Sequence, residues 1–213
     1  MGRLVLIIVI VSYLLGSIPF GYLLVRIFRG VDVRATGSGN IGATNVARTG
    51  SKGLAIATLL LDALKGYGAV WIAAVLIVQS KPSPTVPFAG ELVDIAMTLA
   101  GLAAILGHMF PPWLLFRGGK GVATAAGAFT ALAPRAMLLA LVAFAIVVGL
   151  TRYVSLGSIV GAASFPVFFY LTAPPARTNI LVALLIAISS LLIILRHKDN
   201  IRRLLAGTEN RFR

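Results

Sequence analysis

Long apolar stretches dominate the chain, and short polar segments separate them. A helix needs about 20 apolar residues to cross a hydrocarbon core about 30 Å thick. Ile180–Leu195 falls short of that length but carries no charge. Four other stretches reach it: Leu4–Val25, Leu54–Gln79, Leu92–Phe116 and Val154–Ala173. The pattern therefore predicts a bundle of transmembrane helices.

One further apolar stretch, Val122–Leu150, is too long for a single upright span. As one helix it would extend roughly 44 Å at about 1.5 Å per residue. Pro134 interrupts it, and proline disrupts the interior of a helix. We expect a short fourth helix, Val122–Ala133, and a fifth helix, Ala136–Leu150. The short helix would reach only about 18 Å, so neighbouring helices or a wet cavity must shield it.

The composition supports a membrane protein. Hydrophobic residues make up 59% of the 213 residues and charged residues 12%, with 19 Lys and Arg against 6 Asp and Glu. A soluble domain carries about 25% charged residues, and disorder requires low hydrophobicity, so both classes are excluded. The chain has no cysteine and two histidines. We therefore expect no disulfide, no thiolate nucleophile, no metal site and no cofactor.

The positions of Lys and Arg determine the predicted topology. Seven crossings with the N-terminus outside place 14 cations on the cytoplasmic side and 4 outside. Fusing Val122–Leu150 into one crossing gives six spans, with 8 cations inside and 9 outside. Cytoplasmic segments are enriched in Lys and Arg, so we predict an all-α polytopic protein with seven transmembrane helices and a cytoplasmic C-terminus. No repeat or linker is visible, so residues 1–213 are expected to form one domain, with an external loop from Gln79 to Glu91.

The first of three polar clusters on the predicted cytoplasmic side is Gly37–Gly50, GSGNIGATNVARTG. Glycines let a backbone approach a ligand and point its N–H groups at it. Asn45 and Arg48 are three residues apart, so on a helix they share a face. The cluster is predicted to bind a ligand, although a flexible basic loop with a helix cap is the alternative.

The second polar cluster is Arg117–Thr124, RGGKGVAT. Glycines around Lys120, followed by a helix, suit a phosphate nest with a point charge beside it. The segment is not the nucleotide-binding motif, because the first glycine is missing and Gly121 replaces Ser or Thr. A cytoplasmic turn with positive flanks is the alternative.

The third polar cluster is Arg196–Asn200, RHKDN, in which His197 and Asn200 lie three residues apart. Basic residues after a last span are also ordinary topology signals and lipid-headgroup contacts. Within the second predicted span, Asp62 and Lys65 would be costly in lipid unless they pair. They are expected to form an internal ion pair, with a transport relay as the alternative.

Together the clusters predict a site for anions. They supply Arg48, Lys120 and, when it is protonated, His197, and the acids on this side are Asp32 and Asp199. Phosphates are the natural ligands of such a set. The site has no evident protein base, so it would position and stabilise the reaction of an already activated substrate.

Longer motifs carry the same residues. They are LLGSIPFG (Leu14–Gly21), GSGNIGATNVAR, GHMFP (Gly107–Pro111), GGKGVAT, RYVSLGS (Arg152–Ser158) and RHKDNIRRLLAGTE (Arg196–Glu209). In order and spacing they resemble the bacterial acyl-phosphate:glycerol-3-phosphate acyltransferase family over nearly the whole chain. The resemblance implies a seven-span membrane enzyme of phospholipid synthesis. Such an enzyme transfers a fatty acyl group from acyl phosphate to the 1-hydroxyl of glycerol 3-phosphate and releases lysophosphatidic acid and phosphate.

The resemblance also implies which residues form the site. Its catalytic residues would be Ser38, Arg48, Lys120, His197 and Asn200. Further substrate contacts would be Thr44, Asn45, Ser155 and, in the loop that cradles a substrate phosphate, Gly118, Gly119, Gly121 and Thr124. Departures from the family pattern are mild, with Arg117, Lys198 and Asp199 replacing similar residues.

The expected setting follows from the same resemblance. The acyl chain would lie in the bilayer between helices, the site would face the cytoplasm of a bacterial inner membrane, and the substrate phosphate would take the hydroxyl proton. Partners would be the two substrates and membrane lipids, without nucleic acid, and the protein would be a monomer. A transporter of organic phosphates is the alternative from another class, but such proteins usually have inverted repeats. A structural lipid-binding protein would leave the glycine-rich clusters unexplained.

Overall fold

The computed structural model describes residues 1–80, 89–174 and 179–211. Throughout these residues the protein is helical and contains no strand, as predicted. The α-helices are α1 (Gly2–Ser17), α2 (Phe20–Arg29), α3 (Ala43–Arg48), α4 (Lys52–Gln79), α5 (Ala89–Met109), α6 (Val122–Leu132), α7 (Pro134–Thr151), α8 (Val154–Thr172), α9 (Ile180–Leu195) and α10 (Lys198–Leu205). Two 3₁₀ turns, Val33–Ala35 and Pro112–Leu114, lie in the connections.

Five helical segments in the described ranges are long and apolar enough to cross a membrane. They are Gly2–Arg29, Lys52–Gln79, Gly90–Leu114, Pro134–Thr151 and Val154–Thr172. Together α9 and α10, bent by 55° at their junction, would make a sixth span, and α6 is apolar but shorter. Length and composition thus support five or six spans, and the predicted count of seven depends on α6. Most of the predicted external loop, residues 81–88, lies outside the described residues.

The first predicted span, Leu4–Val25, is broken into α1 and α2. Ile18 is extended, with φ −61° and ψ 116°, because the proline that follows it disfavours helical backbone at the preceding residue. The Lys65 ammonium on α4 donates to the Ile18 carbonyl at 2.8 Å. This bond satisfies a backbone acceptor that the break leaves without its helical partner.

The short helix α6 is separate from α7 as predicted, although α7 begins at Pro134 and not at Ala136, because proline is well tolerated in the first turn of a helix. It packs most extensively against α4. A Cβ on Gly66 would lie 2.0 Å from the Thr124 carbonyl oxygen, and a Cβ on Gly127 would lie 1.8 Å from that of Ala63. Only glycine permits backbones to approach so closely. Six of the 11 residues of α6 are buried, so its neighbours shield it as expected.

Candidate active site

Asn45 organises the first polar cluster. Its side chain is buried, and its Oδ1 accepts a hydrogen bond from the Ser38 N–H at 2.8 Å. Its Nδ2 lies 2.8 to 3.0 Å from the carbonyl oxygens of Val33, Thr36 and Asn40. Because both ends of the amide bond the surrounding backbone, Asn45 fixes the shape of the glycine loop.

Apart from glycines, the exposed residues of this cluster are Ser38, Thr44 and Arg48. Arg48 lies on α3 with Asn45, and both side chains approach Gly37, so they share a face as predicted. The buried amide therefore holds a loop whose hydroxyls and guanidinium face outward.

The second polar cluster is held from two sides. The N–H groups of Gly118 and Gly119 donate to carbonyl oxygens at the end of α5 at 3.0 to 3.1 Å. From the other side, Arg196 donates to the carbonyl oxygens of the same two glycines at 3.1 to 3.2 Å. Gly121 has φ +82° and leads into α6. Lys120 thus projects from a fixed loop beside a helix N-terminus, whose free N–H groups favour an anion.

The Lys120 ammonium donates a hydrogen bond to Asn200 Oδ1 on α10. Burial lowers the pKa of Lys120 to about 8, with Arg203 and Arg48 acting in the same direction and Glu209 opposing them. At neutral pH the group is still mainly protonated. It therefore offers a positive charge whose hydrogen-bond partner here is a neutral amide.

Glu209 connects the rest of this network, although it is not among the predicted site residues. Its Oε1 accepts from Ser155 Oγ at 2.8 Å and from Asn200 Nδ2 at 2.7 Å, and its Oε2 accepts from Arg203 Nε at 2.7 Å. Burial raises the pKa of Glu209, but these hydrogen bonds outweigh burial and lower it overall. The predicted set of cytoplasmic acids, Asp32 and Asp199, therefore lacked Glu209. In the sequence, the one sign of this role is that Glu209 is an isolated acid at the end of the basic motif RHKDNIRRLLAGTE.

The surroundings of His197 favour its neutral form, so the protonated form considered from the sequence is disfavoured at neutral pH. Its side chain is buried, and its Nδ1 lies 2.7 Å from the Ile193 carbonyl oxygen. Burial, followed by the charge of Lys120, lowers the pKa of His197 to about 4. Because Nδ1–H donates to the carbonyl, Nε2 remains as an acceptor for a ligand.

Thr124 is the most deeply placed of the predicted site residues. It is fully buried in the first turn of α6, and its Oγ1 has no hydrogen-bond partner within the described part of the chain. Arg196, in contrast, was expected only as part of a basic segment, and its contacts with Gly118 and Gly119 make it a support of the loop.

An apolar cavity of about 220 Å³ lies next to these polar groups. Val122, in the first turn of α6, and Ile193, beside His197, belong to its lining. Phe129 and Phe165 line it as a stacked pair with ring centroids 3.9 Å apart. The Ser158 hydroxyl, also in the lining, donates to the Val154 carbonyl of its own helix. The cavity therefore suits an aliphatic chain whose polar end lies near Lys120.

A family model described as glycerol-3-phosphate acyltransferase matches residues 6–207. The chain belongs to the glycerol-3-phosphate acyltransferase family. A family member from Geobacter sulfurreducens is 47% identical over 98% of this chain and 97% of its own length. Another, from Sinorhizobium medicae, is 48% identical over 94% and 88% of the two chains. Both are named glycerol-3-phosphate acyltransferase, so the family expected from the motifs is confirmed.

Two crystal structures of PlsY (YgiH), an integral membrane glycerol 3-phosphate acyltransferase, are similar to this protein. The glycerol 3-phosphate form has a TM-score of 0.85 and 38% identity, covering 98% of this chain and 96% of that one. The lysophosphatidic acid form has a TM-score of 0.82 and 37% identity, covering 98% and 95%. With several apolar helices long enough to span a bilayer, the protein is a multi-pass membrane member of this family.

Proposed function

We propose that the protein transfers a fatty acyl group from acyl phosphate to the 1-hydroxyl of glycerol 3-phosphate. The products are lysophosphatidic acid and inorganic phosphate. The observation that carries the proposal is the position of Lys120, a partly buried cation bonded to a neutral amide and adjacent to an apolar cavity. Such a site receives a phosphate on its polar side and an acyl chain on its apolar side.

The polar residues position the acceptor substrate. Arg48, Lys120 and the N-terminus of α6 attract the phosphate of glycerol 3-phosphate. Ser38 and Asn200 add a hydroxyl and an amide, and Glu209 holds Asn200 in place. Thr44 and Gly121 complete the substrate contacts. Gly118 and Gly119, whose N–H groups donate to carbonyl oxygens at the end of α5, hold Lys120 in place instead. The acceptor hydroxyl is thereby directed at the acyl carbonyl, which lowers the entropic part of the barrier.

The proton of the attacking hydroxyl passes to the leaving phosphate. The hydroxyl oxygen bonds to the acyl carbon as the bond from that carbon to the phosphate oxygen breaks. With a pKa of about 4, His197 is a weaker base than a phosphate whose second pKa is about 6. His197 Nε2 therefore accepts a hydrogen bond that orients the hydroxyl, and the phosphate takes the proton. This division of roles needs no protein base, metal or cofactor.

The membrane arrangement completes the proposal. The protein crosses a bacterial inner membrane seven times as a monomer, with α6 as the fourth crossing and the N-terminus outside. The active site then faces the cytoplasm, which agrees with the distribution of Lys and Arg. All of residues 1–213 serve this one activity.

The test is an assay of donor choice. Purified protein in lipid receives glycerol 3-phosphate with palmitoyl phosphate or with palmitoyl-CoA, and lysophosphatidic acid and phosphate are measured. We expect equimolar products with palmitoyl phosphate and none with palmitoyl-CoA. Product with palmitoyl-CoA alone would contradict the proposed donor. Folded protein that uses neither donor would contradict the activity itself, and uptake of labelled glycerol 3-phosphate into liposomes would then test the transporter alternative.

The acyl cavity has a matched test of its own. A Cβ on Gly161 would make ordinary contacts of 3.4 Å and longer, so Gly161→Leu is expected to fold with its side chain in the cavity. We expect kcat/KM for palmitoyl phosphate to fall about tenfold, and that for a dodecanoyl donor to change much less. Gly149→Leu is the control, because nothing lies within 4 Å of a Cβ there. An equal effect on both donors would exclude this cavity as the acyl site.

A further inference from the structure

A charged cluster inside the bundle lies next to the loop that carries Gly119 and Lys120. Asp62 and Lys65 on α4 and His108 on α5 are each at most 4% exposed. Lys65 Nζ lies 2.7 Å from Asp62 Oδ1, which confirms the predicted ion pair. It also lies 3.0 Å from His108 Nδ1. None of the three residues has a part in the proposed chemistry.

The ammonium of Lys65 fixes the orientation of the His108 ring. Lys65 Nζ donates to the carbonyl oxygen of Ile18 at 2.8 Å, lies 3.0 Å from His108 Nδ1, and forms its ion pair with Asp62. Because an ammonium can only donate, the 3.0 Å contact assigns His108 Nδ1 as the acceptor, and Asp62 Oδ1 lies farther from this nitrogen, at 3.5 Å. The ring proton of neutral His108 therefore lies on Nε2, on the side away from Lys65.

His108 contacts Gly119, in the loop of the second polar cluster, with both its backbone and its ring. Its carbonyl oxygen accepts the Gly119 N–H at 3.0 Å. A Cβ on Gly119 would lie 1.9 Å from His108 Nε2, so the ring sits against the Gly119 Cα without space for a side chain. Arg196 holds the same glycine from the opposite side at 3.1 to 3.2 Å. Gly119 is thus clamped between His108 and Arg196, immediately before Lys120.

We propose that His108, oriented by Lys65 and Asp62, is a positioning residue that sets the place of Gly119 and hence of the Lys120 ammonium. The inference rests on the acyl transfer proposed above. Stability alone does not account for the cluster, because apolar residues of similar volume often replace a buried ion pair without loss. A proton-relay role does not account for the cluster either, because the Lys65 ammonium is already held by Asp62, His108 and the Ile18 carbonyl. The consequence is an effect on the binding of glycerol 3-phosphate through a residue that does not touch it.

The test separates positioning from folding with three variants. His108→Asn keeps an acceptor near the position of Nδ1 for Lys65 but removes the ring that lies against Gly119. His108→Ala removes both. In the double variant Asp62→Leu with Lys65→Met, the ring loses its anchor and no charge is left unpaired. Thr98→Ala is the matched control on α5, because this buried side chain bonds within its own helix, away from the loop.

We expect His108→Asn to unfold near the wild-type temperature, with KM for glycerol 3-phosphate raised about tenfold and kcat lowered by up to about 100-fold. KM for palmitoyl phosphate should change less than KM for glycerol 3-phosphate, since the acyl chain also binds in the apolar cavity. The double variant should show the same selective change, and Thr98→Ala should not. Wild-type KM for glycerol 3-phosphate in a folded His108→Asn or double variant would overturn the inference. If wild-type protein has no acyltransferase activity, the proposed function fails instead, so the two failures are distinguishable.

Discussion

Lys65 and Lys120 are both removed from bulk water, but the structure treats their charges differently. Lys65, deep in the bundle, is surrounded by Asp62, His108 and the Ile18 carbonyl, so its charge is matched within the protein. Lys120, at the end of the bundle, donates to the neutral amide of Asn200. Its charge is therefore left for a ligand.

The two lysines differ in what the nearest acid contacts. Asp62 pairs directly with Lys65 at 2.7 Å. Glu209, the acid near Lys120, is instead occupied by Ser155, Asn200 and Arg203. It therefore supports the amide and does not neutralise the ammonium. The contacts of the nearby acid thus distinguish the partly buried Lys120, whose charge is open to a ligand, from the fully buried Lys65, whose charge is matched inside the bundle.

Removal of the Lys120 ammonium should cause the strongest loss of activity. Lys120→Ala should lower kcat/KM for glycerol 3-phosphate by about 1,000-fold, because it removes the cation that stabilises the substrate phosphates. Its thermal unfolding temperature should remain near that of wild type, since no partner ion is stranded. Steady-state phosphate release measures the first and thermal unfolding the second. Lys198→Ala, an exposed cation on α10, is the control, and an active Lys120→Ala enzyme would refute the assigned role.

For Lys65, in contrast, the expected loss is one of stability. Lys65→Met leaves Asp62 as an unpaired buried charge, which costs about 3 kcal/mol of stability or more. Adding Asp62→Leu to the same chain should restore most of that loss. Unfolding curves in mixed micelles measure both variants. If Lys65→Met is as stable as wild type, the ion pair is not the structural element described here.

A weaker effect, a dependence of activity on pH, should also follow from Lys120. Because the lowered pKa of Lys120 is about 8, the ammonium is charged below this pH and neutral above it. We expect kcat/KM for glycerol 3-phosphate to fall above about pH 8, and this fall should be absent in Lys120→Arg, whose side chain stays charged. The Glu209 carboxylate raises the pKa of Lys120, so Glu209→Gln should move the fall to lower pH. A pH profile of Lys120→Arg identical to that of wild type would assign the titration to another group.

Much of the fold could be predicted because hydropathy and proline are local signals. The apolar stretches predicted the membrane helices, and Pro134 predicted the boundary between α6 and α7. The break between α1 and α2 was not predicted although Pro19 lies at it, because the apolar pattern continues through the break and Ile18 is held by Lys65, a distant residue. The number of spans stays a prediction for a similar reason, since α6 is shielded by packing that sequence does not show.

The candidate site was predicted in part. Glycine-rich motifs indicated Lys120 and its loop, and spacing placed Asn45 and Arg48 on one face of α3. Burial was not predictable from the motifs, so the neutral state of His197 and the connecting role of Glu209 appear only in the structure. The same holds for Asn45, whose amide bonds the loop backbone.

The central claim is that the charge of Lys120 is reserved for the substrate phosphate. Calorimetric titration of glycerol 3-phosphate in buffers of different ionisation enthalpy, at about pH 8.5, tests it directly. At this pH the ligand is a full dianion, because its second pKa is about 6, and His197 stays neutral. We expect wild-type protein to take up a fraction of a proton on binding, as Lys120 becomes protonated, and Lys120→Arg to bind without uptake. Equal proton uptake in both proteins, or none in wild type, would contradict it.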